Sequence, residues 1–253
     1  MPSPRISQTE AVVLRRSDLG EADRIVTLYT PQLGKLRAVA KGIRRPTSRL
    51  GGHLELFTHS RVLLAKGRDL DIITQAETIH SFIGLRDDLW RAALACYAAE
   101  LLDRLTVERN PDLAVYDLLV ATLGRIAGDR NPELALRFYE VQLLGCLGYQ
   151  PQLHHCVHCG KLLGPDANFF SSADGGVLCL DCGQADPSAR GLTANGFKLL
   201  RLFQSGDYAT TARLRVDEPL RRELENVLKG YAEHILERKV KSASLLDTLR
   251  TAS

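Results

Sequence analysis

The sequence predicts an α+β protein of several domains: a five-stranded N-terminal barrel, then a helical region with a four-cysteine zinc ribbon inserted in it. Three observations predict this. Residues 5–80 hold five short apolar or alternating runs broken by glycine and proline, with no long helix between them. After Ile79 the apolar spacing switches to that of helices. Two CxxC pairs lie close together in a glycine-containing stretch before the last helical patterns.

In order along the chain, Val12 and Leu14 alternate with Val13 and Arg15, and Arg24-Ile25-Val26-Thr27-Leu28-Tyr29 is β-branched and aromatic, as strands are. Leu36, Ala38 and Ala40 alternate with Arg37, Val39 and Lys41, and two more runs cover residues 54–64 and 71–79. Pattern alone fits a closed or partly open barrel, with a small SH3-like barrel as the competing topology. Trp90, Leu94, Tyr97, Leu101 and Leu105 then share one helix face, with Asp87-Asp88 at the start and Pro111 as the end. A second helix is expected from Asp112 to about Ile126. Asn131-Pro132-Glu133 opens a third, whose Leu134, Phe138, Val141 and Leu144 line one side. Thr193 caps a helix carrying Phe197, Leu200 and Phe203, and Leu220, Leu224, Val227, Tyr231 and Ile235 mark a long amphipathic one. Arg238, Lys239 and Lys241 are expected to balance the dipole at its C-terminus. Cys96 and Cys146 read as buried apolar thiols within helices. The expected division is a barrel over residues 1–80, a helical domain over 81–150 and 188–253, and the cysteine module over 151–187.

The composition is that of a globular protein: 253 residues, 45% apolar and 25% charged. The apolar run at residues 92–99 stops at Glu100, far short of the roughly 20 residues that span a bilayer. Residues 1–10 lack the apolar stretch of a secretory signal. A soluble cytoplasmic protein is expected. Its net charge of +3 is unevenly spread. Residues 1–80 carry 13 Lys/Arg against 8 Asp/Glu, residues 81–189 carry 8 against 14, and residues 190–253 carry 12 against 8. An acidic middle between basic ends suggests different partners for different parts.

Cys156-Val157-His158-Cys159 and Cys179-Leu180-Asp181-Cys182 are separated by 19 residues, within the spacing that tetrahedral zinc prefers. Two thiolates three residues apart converge on one ion when the chain between them turns tightly. Gly160 and Gly183 follow the two pairs and supply the positive φ such a turn uses. Asp174-Gly175-Gly176 reads as a hairpin turn between Phe169-Phe170 and Val177-Leu178. Four thiolates close the coordination shell, so one structural Zn2+ is expected rather than a catalytic ion. His154, His155 and His158 stand nearby as alternative ligands that four cysteines make unnecessary.

Residues 35–49 hold six basic side chains (Lys35, Arg37, Lys41, Arg44, Arg45 and Arg49) and no acidic one. The first part alternates like a strand, and the second, around Gly42 and Pro46, reads as a loop. A strand face and loop of one charge sign make a track for phosphates. If all six met single-strand phosphates, the salt slope would be about −4 and affinity would fall about 300-fold from 50 to 200 mM salt. Tyr29 and Phe57 are candidates both for base stacking and for the core.

Neither G-x-x-x-x-G-K-[ST] nor G-x-G-x-x-G occurs, so nucleotide hydrolysis and dinucleotide binding are not signalled. There is no G-x-S-x-G elbow. His53-Leu54-Glu55 resembles half of a zinc-deaminase motif but lacks its Pro-Cys-x-x-Cys partner, so His53 and Glu55 read as one face of a strand. With no convergent acid, base and nucleophile, no catalytic residue is assigned.

The stretch Gly20-Glu21-Ala22-Asp23-Arg24-Ile25-Val26-Thr27-Leu28-Tyr29-Thr30, then Gly34-Lys35 and Ala40-Lys41-Gly42-Ile43-Arg44-Arg45-Pro46-Thr47-Ser48-Arg49, resembles the RecO family of bacterial DNA repair proteins. The likeness runs over nearly the whole chain. It implies an OB-fold for the N-terminal domain and a non-enzymatic recombination mediator that binds single- and double-stranded DNA and anneals complementary strands. It implies RecR as a partner in loading RecA, contact with the C-terminal tail of single-strand-binding protein, and a place in the cytoplasm with the nucleoid. By motif match, Lys35, Arg37, Lys41, Arg44, Arg45 and Arg49 become the expected DNA contacts. The rival reading is a zinc-ribbon adaptor that binds protein or RNA in transcription or translation.

Overall fold

A computed structural model of the chain describes residues 6–251. Two compact units divide it, Met1–Ala127 and Gly128–Ser253. In the first, β1 (Ile6–Leu19), β2 (Asp23–Thr30), β3 (Gly34–Ala40), β4 (His59–Ala65) and β5 (Asp71–His80) form a closed barrel in the order β1-β2-β3-β5-β4. The β3–β5 pair is parallel and the others are antiparallel, which is OB-fold connectivity and resolves the barrel ambiguity. β1 is long enough to serve two neighbours. Its first half pairs with β4 and its second with β2, and a bulge between Val13 and Arg15 bends it from one to the other. Alternation fills the interior: Val26, Leu28, Leu36, Ala38, Ala40, Val62, Leu64 and Ile73 are buried together there.

The run expected as a strand over 54–64 begins differently. Gly51–Leu54 is a 3-10 turn and β4 starts only at His59. Phe57 takes a left-handed φ of 65°, and its N–H donates to the Val13 carbonyl at 2.9 Å, which turns the chain before the strand starts. His53 and Glu55 therefore do not share a strand face. His53 Nδ1 lies 2.9 Å from Thr78 Oγ1, and Leu54 enters the barrel core.

The Asp88 carboxylate caps α1 (Leu89–Leu105), accepting from the Trp90 and Arg91 N–H groups at 2.8 and 3.2 Å. The helix ends well before Pro111, because Thr106 turns extended. Residues 106–112 form a connector to α2 (Leu113–Gly128). In the second unit Asn131 caps α3 (Pro132–Cys146) through the Leu134 N–H at 3.2 Å. Burial of α3 is not confined to one side: Arg137 and Glu140 are buried with the apolar residues, 3.0 Å apart. The cysteine module holds β6 (Asn168–Ser171), β7 (Gly176–Leu178), α4 (Leu180–Ala185) and β8 (Arg190–Leu192), with sheet order β7-β6-β8. Then follow α5 (Ala194–Gln204), α6 (Tyr208–Thr211), α7 (Glu218–Leu236) and α8 (Lys241–Thr251); α3 packs against α5, α6 and α7. Lys241 opens α8, so it does not balance the C-terminus of α7. Cys146 is exposed and Cys96 only partly buried, contrary to their reading as core thiols. Among the described residues, no helix is long and apolar enough to cross a membrane.

Candidate metal centre and nucleic-acid interface

The four cysteines converge. The sulfurs of Cys156, Cys159, Cys179 and Cys182 all lie within 4.8 Å of one another, and Cys159 Sγ is 3.8 Å from Cys179 Sγ. A tetrahedron of 2.3 Å zinc–thiolate bonds has edges of roughly 3.8 Å, so the set fits such an ion. The two pairs repeat one turn: the Gly160 N–H donates to the Cys156 carbonyl at 2.9 Å, and the Gly183 N–H to the Cys179 carbonyl at 2.8 Å. Burial pushes the Cys156 thiol up, but backbone N–H groups of Cys159, Cys179 and His158 aimed at its sulfur outweigh this and bring it to about 6. Such groups favour the thiolate that a metal needs.

Gly160 has the expected positive φ of 74°. Gly183 does not. It sits inside α4, where a Cβ would lie 2.3 Å from the Phe169 ring, so this glycine makes room for an aromatic side chain. The hairpin is as expected, with Phe169 opposite Leu178, Phe170 opposite Val177 and Gly175 at φ 70°. His154, His155 and His158 are exposed and outside the sulfur cluster.

The basic segment is spread over two settings. Lys35, Arg37 and Lys41 alternate with buried Leu36, Ala38 and Ala40, which puts them on the outer face of β3 and just beyond it. Strand register adds a residue that sequence reasoning missed. Arg15 pairs with Thr27, and Thr27 with Arg37, so Arg15 and Arg37 flank Thr27 in one row across three strands. The short β1–β2 and β2–β3 turns set that register, and counting outward from them would have found Arg15. The next row on the same face holds half-buried Ile25 and Val39.

The absence of carboxylates within residues 35–49 does not extend to space. Lys35 Nζ lies 3.1 Å from Asp103 Oδ1, Arg37 Nε 2.8 Å from Glu108 Oε1 and Arg44 Nη1 3.5 Å from Asp18 Oδ2. A hydrogen bond from Arg24 lowers the Asp18 carboxyl from its ordinary value; desolvation opposes this, and the charge of Arg44 adds to it. Lys41, Arg45 and Arg49 are exposed and make no ion pair among the described residues. Tyr29 and Phe57 are buried, at 0% and 6% exposure, so neither offers a ring to a base.

Comparison with known proteins matches two successive stretches of the chain. A family model described as recombination protein O N terminal matches residues 5–82, and one described as recombination protein O C terminal matches residues 86–244. The chain is 46% identical over 246 residues to the DNA repair protein RecO of Roseiflexus sp. (strain RS-1), covering 97% of this chain and 87% of that protein. It is 37% identical over 252 residues to the DNA repair protein RecO of Dehalococcoides mccartyi (strain ATCC BAA-2100 / JCM 16839 / KCTC 5957 / BAV1), covering 100% and 99%. The RecO of Desulforamulus reducens is 36% identical over 245 residues, covering 97% and 95%.

Proposed function

The chain belongs to the RecO family of DNA repair and recombination proteins, and from that premise we propose that it is a non-enzymatic recombination mediator. It binds single- and double-stranded DNA through phosphates, anneals complementary strands and, with RecR, assists RecA loading on DNA carrying single-strand-binding protein, whose C-terminal tail it contacts. It works in the cytoplasm at the nucleoid. The observation that carries this reading is the cationic outer face of the barrel. There Arg15, Arg37 and Lys41 rim half-buried Ile25 and Val39, and a loop bearing Arg44, Arg45 and Arg49 follows.

Annealing brings two polyanions together, so the protein must screen phosphate repulsion while leaving base edges free. Contacts to phosphate alone do this and carry no sequence preference. Lys41, Arg45 and Arg49 are the foremost contacts because they are exposed and make no ion pair among the described residues. Arg44 shares Asp18 with Arg24 and stays partly available, at 37% side-chain exposure. In the second unit Cys156, Cys159, Cys179 and Cys182 hold one Zn2+, which cross-links the module and leaves no open coordination position.

The test is strand annealing and DNA binding by a variant with Lys41, Arg44 and Arg45 changed to Ala, its zinc content and thermal unfolding checked against the parent. Losing three phosphate contacts should flatten the salt slope for single strands by about 2, and Arg15→Ala alone by about 0.7. Annealing by the triple variant at the parent's rate would refute the interface. Preference for RNA over DNA of equal length would favour the adaptor reading instead.

A further inference from the structure

β5 pairs with β3 only at Ala38 and Val39. The same edge of β3 nearer its start is taken by the α1–α2 connector. Glu108 bridges in parallel to Lys35, and the Arg109 N–H donates to the Lys35 carbonyl at 2.8 Å. Gly34 lies so close that a Cβ there would be 2.4 Å from the Asn110 carbonyl oxygen. Arg109, at a left-handed φ of 62°, reaches Asp71 at the start of β5 at 2.6 Å and fastens the connector to the barrel. From this strap Glu108 meets Arg37 at 2.8 Å, while Asp103 at the end of α1 meets Lys35.

We propose that Glu108 is a built-in competitor for DNA phosphate at Arg37, an autoinhibitory contact that the nucleic acid displaces as it binds. This rests on the nucleic-acid reading above. A carboxylate and a phosphodiester each bring one negative charge and acceptor oxygens to the same guanidinium, so the two exclude each other at Arg37. The Arg37–Glu108 pair is built to exchange, since its side chains are 52% and 49% exposed and water takes up a released carboxylate at little cost. The Lys35–Asp103 pair is not, at 11% and 28% exposed, with Lys35 also donating to the Asp103 carbonyl. The Lys35 side chain thus ties the end of α1 to the barrel, and Arg37 is the cation that changes partner. Because Arg37 starts out neutralised, it contributes less to affinity than its place on the track implies.

The test is a double-mutant cycle read by binding of a fluorescent oligothymidylate across a salt series, using the full chain and its Glu108→Gln, Arg37→Ala and doubly substituted forms. Both positions are half exposed, and thermal unfolding of each variant checks the fold. Glu108→Gln should bind about two- to fivefold tighter, the range for exposed ion pairs, with a salt slope steeper by up to about 0.7. The gain should vanish in the Arg37→Ala background. No gain, or an equal gain without Arg37, overturns the competitor role; the second result would mean that only general charge is at work. The Lys41, Arg44 and Arg45 triple variant is measured alongside. If it loses binding while the cycle shows no coupling, the interface stands and the competitor role alone fails. If it binds like the parent, the interface reading fails and takes the competitor role with it.

Discussion

The cysteine centre and the cationic face of the barrel are built on different length scales. The four sulfurs come from two short turns between residues 156 and 182, and each turn is closed by its own backbone hydrogen bond. The cationic face draws Arg15 from β1, Arg37 from β3 and its opposing carboxylates from the far end of α1 and the connector beyond. Metal ligation needs contact, so sequence spacing almost defines the centre. Charge acts through space, so a segment that is purely basic in sequence is partly neutralised once the chain folds. A run of like charges predicts a sign, whereas availability depends on what tertiary structure brings alongside.

The sharpest way to break that contrast is to test the proposed zinc. Zinc chelation, or the pair Cys156→Ser and Cys179→Ser, should unfold the module, because binding to such sites contributes on the order of 10 kcal/mol to folding. Amide exchange should then accelerate across β6, β7 and β8 while the β1–β5 amides keep their protection. Unchanged exchange at β6 in metal-free protein would mean that the thiols do not brace the module. A smaller effect comes from two glycines, one in each region. Gly34→Ala meets the Asn110 backbone and a positive φ of 65°, and Gly183→Ala meets the Phe169 side chain. Each should lower stability in urea unfolding by about 1–3 kcal/mol through overpacking, with Gly34→Ala the worse because backbone cannot rotate away. Equal midpoints for Gly34→Ala and the parent would show that the strap is not pressed against β3.

The barrel was legible to the extent that alternation and turns specify it. Leu36, Ala38 and Ala40 point inward as their spacing requires, and the turn glycines Gly20 and Gly34 adopt left-handed φ values. The 3-10 turn at Gly51–Leu54 was not legible, because Leu54 and Leu56 are spaced as in a strand, whereas the His53 and Thr58 N–H groups close local turns and Phe57 bonds across to Val13. On α3 the apolar side of Leu134, Phe138, Val141 and Leu144 is buried as its spacing requires, but the burial of Arg137 and Glu140 was not legible, because charged residues look like solvent residues until each is seen beside the other. At the cysteine centre the convergence of the four sulfurs could be read from spacing alone. The role of Gly183 could not, since Phe169 comes from a strand that only the fold places against it. The pairing of Lys35 with Asp103 and of Arg37 with Glu108 spans too much chain for any local rule.

The smallest expected effect concerns a buried group in the barrel unit that no sequence motif marked. His59, 8% exposed on β4, has Nε2 3.1 Å from Glu10 Oε2 and 2.9 Å from Tyr116 Oη. Burial lowers its pKa below the ordinary imidazole value; Glu10 opposes this, while His80 and Arg61 add to it. Burial also pushes the Tyr116 phenol up, so it stays protonated and remains a donor at neutral pH. The folded protein therefore prefers neutral His59, whereas the unfolded chain takes up a proton near the ordinary value. As pH falls through about 6.5 the unfolded state binds more protons and stability declines; above that pH the contribution is fully present. The urea midpoint of the parent should drop more between pH 7.5 and 5.5 than that of His59→Gln, whose side chain does not titrate. Parallel declines would assign the acid sensitivity to other groups and leave His59 as a packing residue. A smaller decline in the parent would mean that Glu10 outweighs burial and that the folded state keeps His59 charged.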